Sequence, residues 1–167
     1  MFLLKELPDK KSIKKIAKDN KAIDATSAHF TLQFIRTASD ALITIDKFFS
    51  AKGLSHGRFI ALSVLSEAPD EGIFPYELAD SMGVSRATAS GLIKGLEATG
   101  LIVSIQSKTD GRMKRIALTD EGKTLIEELT PEYYAFISKF TGSIEKKSLK
   151  QFIGILTQLG DVVSSID

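Results

Sequence analysis

The chain has 167 residues, enough for one sizeable core or for a small core with an oligomerisation region. Its 22 basic and 21 acidic residues leave a net charge of only +1, so no whole-molecule field draws it to nucleic acid. It has no cysteine and only two histidines, His29 and His56, which excludes disulfides, thiolate metal sites and cysteine redox sensing; neither a metal nor a cofactor is expected.

The opening Met1-Phe2-Leu3-Leu4 is too short, and too soon followed by charge, for a signal peptide. No apolar run is long enough to cross a bilayer, so a cytoplasmic protein with no membrane partner is expected. Residues 8–20 are lysine-rich with Ile13, Ile16 and Ala17 at helical spacing, which reads as a short amphipathic helix or a basic arm; a solvated helix docked on a neighbour is the simpler of the two. A long helix is predicted from Thr26 to about Ala51, with Phe34, Ala38, Ala41, Ile45 and Phe48 as its apolar row, closed by Lys52-Gly53. Ser55 caps the next helix, which carries Phe59, Leu62 and Leu65 and stops at Ala68-Pro69.

Two short helices then follow the turn Asp70-Glu71-Gly72, one from Tyr76 to Met82 and one over residues 85–99. Two helices crossing steeply need a small residue where they touch and a sharp turn between them. Ala79 and Gly83 supply these, while Leu78, Met82, Val84, Ala89 and Leu92 give a shared core and Ser85 an N-cap. With Ala89, Leu92, Ile93 and Leu96 inward, the opposite face presents Arg86, Ala87, Ser90, Gly91 and Lys94. Arg86 and Ser90 suit a base edge or a phosphate, Lys94 a phosphate, and Ala87 a thymine methyl or simply close approach. Taken alone, this helix pair is equally a scaffold with a solvated face.

The next segment decides between them. Leu101, Val103 and Ile105 alternate before an Asp110-Gly111 turn, and Ile116 and Leu118 alternate after it, which reads as a β-hairpin. Its tip region carries Lys108, Arg112, Lys114 and Arg115. From Ser85 to Arg115 there are six basic and two acidic residues, a local balance of +4. A groove-sized helix beside a positive hairpin is a winged helix, and its expected ligand is double-stranded DNA.

Thr119 caps a further helix, with Asp120 and Glu121 at its positive end; Pro131 is expected to kink or divide it before Gly142. The last helix, about Glu145 to Ser165, has an apolar row at Leu149, Phe152, Leu156, Leu159, Val163 and Ile166, a coiled-coil-like seam. The predicted fold class is therefore mainly α with a small β-hairpin wing. A winged helix-turn-helix at 55–119 is joined to a helical dimerisation region at 1–54 and 120–167.

Tyr76-Glu77-Leu78-Ala79-Asp80-Ser81-Met82-Gly83-Val84-Ser85-Arg86-Ala87-Thr88 resembles the helix-turn-helix of the MarR (multiple-antibiotic-resistance) family. Leu96-Glu97-Ala98-Thr99-Gly100-Leu101-Ile102 is similar to that family's exit into the wing, and Asp110-Gly111-Arg112 with Lys114 to Thr119 and Gly122 to its wing signature. The resemblance implies a homodimeric, non-enzymatic repressor or activator of palindromic operators. Helix 85–99 would lie in the major groove and wing 106–115 in the minor groove. It further implies that Arg112 enters the minor groove, a role that also suits an arginine at a hairpin tip, while Asp110, with Gly111, holds the wing's shape. Gly91 and Gly95 depart from the family, standing where many relatives carry arginines, and each costs roughly 1 kcal/mol against alanine in a helix interior.

DNA contacts are thus expected from Ser85, Arg86, Ala87, Thr88, Ser90, Gly91, Lys94, Lys108, Arg112, Lys114 and Arg115. The resemblance also implies a small aromatic effector, for which Phe34, Phe48, His56, Phe59 and Tyr76 are the candidate lining, although a phenylalanine stripe is more often core. No nucleophile–base pair, phosphate-cradling loop or metal cluster points to an enzyme. The rival to DNA binding is a winged-helix protein adaptor or antirepressor, which the sparse cations of helix 85–99 favour.

Overall fold

The structure, a computed structural model, describes residues 7–106 and 113–166. Among the described residues, seven α-helices and one hairpin follow in the expected order: α1 (Lys10–Asp19), α2 (Ala25–Ser50), α3 (His56–Ser66), α4 (Pro75–Met82), α5 (Arg86–Ala98), β1 (Ile102–Gln106), β2 (Lys114–Leu118), α6 (Asp120–Ser138) and α7 (Lys146–Ser164). The chain divides into two compact units, one ending at Phe59 and the other starting at Ile60.

In the first unit, Asp9 and Asp24 cap α1 and α2 by accepting from the backbone N–H of Ser12 (2.7 Å) and Ser27 (2.6 Å). Helix α1 packs on α2 and buries Ile13, whereas Ile16 is exposed. The inward line of α2 is Ser39, Ile45 and Phe49, displaced from the predicted row: Ala38 faces solvent, and Phe34, Ala41 and Phe48 are half-buried. Ser39 tolerates burial because its hydroxyl donates to the Ile35 carbonyl (2.9 Å).

In the second unit, Leu62, Leu78, Leu96 and Ile116 form a closed core. Helices α4 and α5 pack together, α5 on β1, and α4 and α6 on β2. Gly83 turns the chain between α4 and α5 in the left-handed region (φ 63°), with its N–H donating to the carbonyls of Ala79 and Asp80.

The hairpin is antiparallel, with Ile102 opposite Leu118 and Gln106 opposite Lys114. Of the two alternations, Ile116 and Leu118 of β2 lie on the core side, whereas Val103 and Ile105 of β1 do not. Ile102 is 3% exposed, while Val103 and Ile105 are 43% and 40% exposed. Strand side chains alternate, so the partners of Leu118 and Ile116, namely Ile102 and Ser104, share the core face and the odd-numbered residues point out. A third, one-residue rung not foreseen in the sequence joins Ile73 to Ile116 through N–H···O bonds of 3.0 and 2.8 Å.

Thr119 ties the wing to α6: its hydroxyl accepts from the Gly122 N–H (3.1 Å) and donates to the Gly100 carbonyl (2.7 Å). Glycine is required at 122 because a Cβ there would overlap the Leu101 carbonyl. Helix α6 is not divided at Pro131 but runs unbroken to Ser138. Pro131 and Glu127 both face solvent, where water can serve the carbonyl that loses its donor. Nothing in α7 is buried. Its predicted row is only partly covered: Leu149, Leu156 and Leu159 are half-buried and Phe152, Val163 and Ile166 exposed. Among the described residues, no helix is long and apolar enough to cross a membrane.

Candidate nucleic-acid interface

Helix α5 begins at Ser85, whose Oγ accepts from the Thr88 N–H (3.1 Å) and lies 2.9 Å from the Thr88 hydroxyl. Ser85 and Thr88 therefore set the start of the helix, leaving its first N–H groups directed outward where an anion can meet them. The inward face is Ala89, Ile93 and Leu96. Arg86, Ala87, Ser90, Gly91 and Lys94 are all exposed on the other side. A Cβ at Gly91 would meet nothing within 4 Å, so this glycine is not there to let the core close. Gly95 is half-buried.

Lys114, at the base of the wing, is exposed and shares a groove of about 330 Å3 with Pro75, Tyr76, Arg86 and Met113. Tyr76, expected to line an effector site, thus stands beside Arg86 and Lys114, 40% exposed and stacked on Phe74 at 5.6 Å. No signal in the sequence joins Tyr76 to Lys114, which are brought together by the packing of α4 on β2.

Arg115 is placed differently from its neighbour. Its guanidinium donates to the Gly72 carbonyl (2.6 Å) and lies over the Phe74 ring (4.4 Å). It braces the wing against the segment before α4, while Lys114 points to solvent. Lys108, Asp110, Gly111 and Arg112 lie outside the described residues.

The aromatic residues do not form one pocket. Phe48, His56 and Phe59 converge on Phe49: Phe48 edge-on at 5.1 Å, His56 stacked at 5.4 Å and Phe59 stacked at 4.6 Å. Phe49 and Phe59 are buried, so half of this cluster is core. Phe34 stacks on Phe30 (6.4 Å), and sits fourteen residues from Phe48, roughly 21 Å along α2. A larger cavity, of about 490 Å3, opens between Leu65, Pro69, Leu118, Ile126 and Pro131 and includes none of the five expected residues. Among the described residues, no group of three or more histidine, aspartate or glutamate side chains is arranged to hold a metal ion.

The sequence model of the MarR family matches residues 52–113. The chain is 31% identical over 161 residues to the HTH-type transcriptional repressor YetL of Bacillus subtilis (strain 168), covering 96% of each. It is similar to CouR from Rhodococcus jostii RHA1 bound to p-coumaroyl-CoA, with a TM-score of 0.65 and 25% identity over 80% of this chain and 92% of that one. The S. aureus MepR–DNA complex has the same fold, with a TM-score of 0.68 and 19% identity over 80% of this chain and 96% of that one.

Proposed function

The chain belongs to the MarR family of DNA-binding transcriptional regulators, and from that premise we propose that it is a homodimeric repressor of a palindromic operator, acting in the cytoplasm and responsive to a small aromatic effector. Its named relatives are regulators, not enzymes, so it works by binding.

The observation that carries the proposal is the exposed row Arg86, Ala87, Ser90, Gly91 and Lys94 with Lys114 across a shared groove. In this reading α5 enters the major groove, with Arg86 and Ser90 toward base edges and Lys94 on a phosphate. Ser85 and Thr88 present the helix start to the backbone, and Gly91 lets a base pair approach the helix closely. The wing, 106–115, lies in the minor groove with Arg112 inserted, Lys108 and Lys114 on phosphates, and Asp110 and Gly111 fixing its shape.

Dimerisation is assigned to 1–54 and 120–167, leaving 55–119 as the DNA-binding domain. Six apolar side chains in the α7 row, at about 1.5–3 kcal/mol each, give roughly 9–18 kcal/mol if fully buried, comparable with an association cost of about 4–15 kcal/mol. So α7 needs help from the N-terminal helices. For the effector, the half-buried Phe48–His56 edge of the cluster is the site we favour; the p-coumaroyl-CoA bound to CouR supports a ligand with an aromatic group, not its position.

Duplex binding measured across salt tests the proposal. Affinity should fall steeply between about 50 and 200 mM salt. Lys94→Ala should weaken all sequences evenly, and Arg112→Ala should weaken binding strongly. A protein without duplex affinity at low salt would be the adaptor that the sparse cations of α5 otherwise favour.

A further inference from the structure

We propose that α1 is a second DNA-binding element, a lysine face that grips the phosphate backbone beyond the contacts of the winged helix; this rests on the DNA-binding reading above. Five of its ten residues are lysines: Lys10, Lys11, Lys14, Lys15 and Lys18. At 3.6 residues per turn they fall within an arc of about 140°, with Ile13, Ile16 and Ala17 on the other side. Ile13 is 5% exposed and α1 packs on α2, so the Ile13 edge is the docked one, while Ile16 stays 59% exposed. All five lysines are exposed.

Helix stability does not account for this pattern. Lys10 and Lys11 occupy the first turn, the positive end of the helix, with the capping Asp9 just before them and no acidic residue within the turn. The like-charge pairs Lys10/Lys14, Lys14/Lys18 and Lys11/Lys15 each destabilise the helix by about 0.2–0.5 kcal/mol. Among the described residues these lysines form no ion pair. Solubility accounts for it no better, since mixed charge would serve as well. Residues 8–20 hold five lysines against Asp9 and Asp19, a local balance of +3 in a chain whose net charge is +1.

The complementary partner is a long, regular polyanion. A ten-residue helix is about 15 Å long, and the same length of duplex carries roughly nine phosphate charges. Ammonium groups are point charges that neutralise phosphates without the forked geometry that reads a base. Helix α5 offers only Arg86 and Lys94, too few for the sequence-independent attraction on which DNA binders depend. The lysine face supplies that missing share.

The test uses the full chain, a labelled duplex of mixed sequence, and anisotropy at several salt concentrations. The variant carries Lys10→Gln, Lys11→Gln, Lys14→Gln, Lys15→Gln and Lys18→Gln; glutamine keeps helix propensity, and circular dichroism checks folding. The slope of log affinity against log salt should become shallower by about 0.9 for each phosphate that is no longer neutralised. Affinity for operator and non-operator duplexes should fall by the same factor, tenfold or more, and arginine at all five positions should restore it. An unchanged slope in a variant that still binds DNA overturns the proposal but leaves the winged helix in place. Loss of binding to anionic phosphatidylserine vesicles with an unchanged duplex slope also overturns it and assigns the face to membranes. A parent chain with no duplex affinity overturns this proposal and the proposed function together.

Discussion

The core around α4, α5 and the hairpin and the surface of α7 are built from the same kind of apolar spacing, with opposite outcomes. Leu62, Leu78, Leu96 and Ile116 are all but inaccessible. Helix α7 buries no residue, and Ile153, Val162 and Val163 are more than half exposed. Periodicity announces that a face will be covered without saying by what. Exposed apolar patches of this kind mark places where another surface docks. The first region is a closed core, and the second is an open apolar face.

The contrast breaks most visibly at Leu96. Leu96→Ala should destabilise the folded chain by about 2–5 kcal/mol, read by thermal or denaturant unfolding, because it opens a cavity among fully buried neighbours. A charged pair on α7, Leu156→Glu with Val163→Glu, should leave the secondary structure intact and convert the species seen by light scattering to monomer. Duplex affinity should then drop about a hundredfold, close to 2.7 kcal/mol. Unchanged mass would make α7 a solvated helix.

Arg115 and Lys114 sharpen the contrast on a single strand. Arg115→Ala removes the bond to the Gly72 carbonyl and the packing on Phe74, and should cost about 1–2 kcal/mol of stability. Lys114→Ala should stay within about 0.5 kcal/mol and weaken only DNA binding. Equal losses of stability would erase the distinction between a brace and a DNA-facing cation.

The smallest effect is with pH. The Asp9 carboxyl is held below its ordinary range first by the Ser12 hydroxyl and then by the Ser12 N–H, and Asp24 likewise by Ser27. Their folded values lie below the unfolded ones, so the stabilisation is complete above about pH 4 and fades as the pH falls through the folded values. Helicity at the starts of α1 and α2 should therefore be constant from pH 7 to about 5 and decline only below about 4. Amide exchange at Ser12 and Ser27 would report it.

The helix-turn-helix is legible in the sequence because its determinants are local: Ala79, Gly83 and Ser85 each act within a few residues of where they stand. The register of β1 is not, since Leu101, Val103 and Ile105 alternate as cleanly as the true inward pair, and only pairing with Ile116 and Leu118 chooses between them. The rung at Ile73 has no periodicity to read. The bond from Arg115 to Gly72 is not legible either, because a cation on a hairpin gives no hint of a carbonyl 43 residues away. The aromatic residues suggest one pocket because spacing along a helix does not reveal that Phe49 gathers Phe48, His56 and Phe59 while Phe34 stands apart.

Footprinting on genomic fragments captured by the purified chain tests the central claim most directly. Two α5 helices held by one dimer should protect two half-sites related by a two-fold axis, about 34–36 Å or a whole number of turns apart. Arg86→Ala should weaken both halves equally. A single protected patch, or protection without symmetry, would contradict the account.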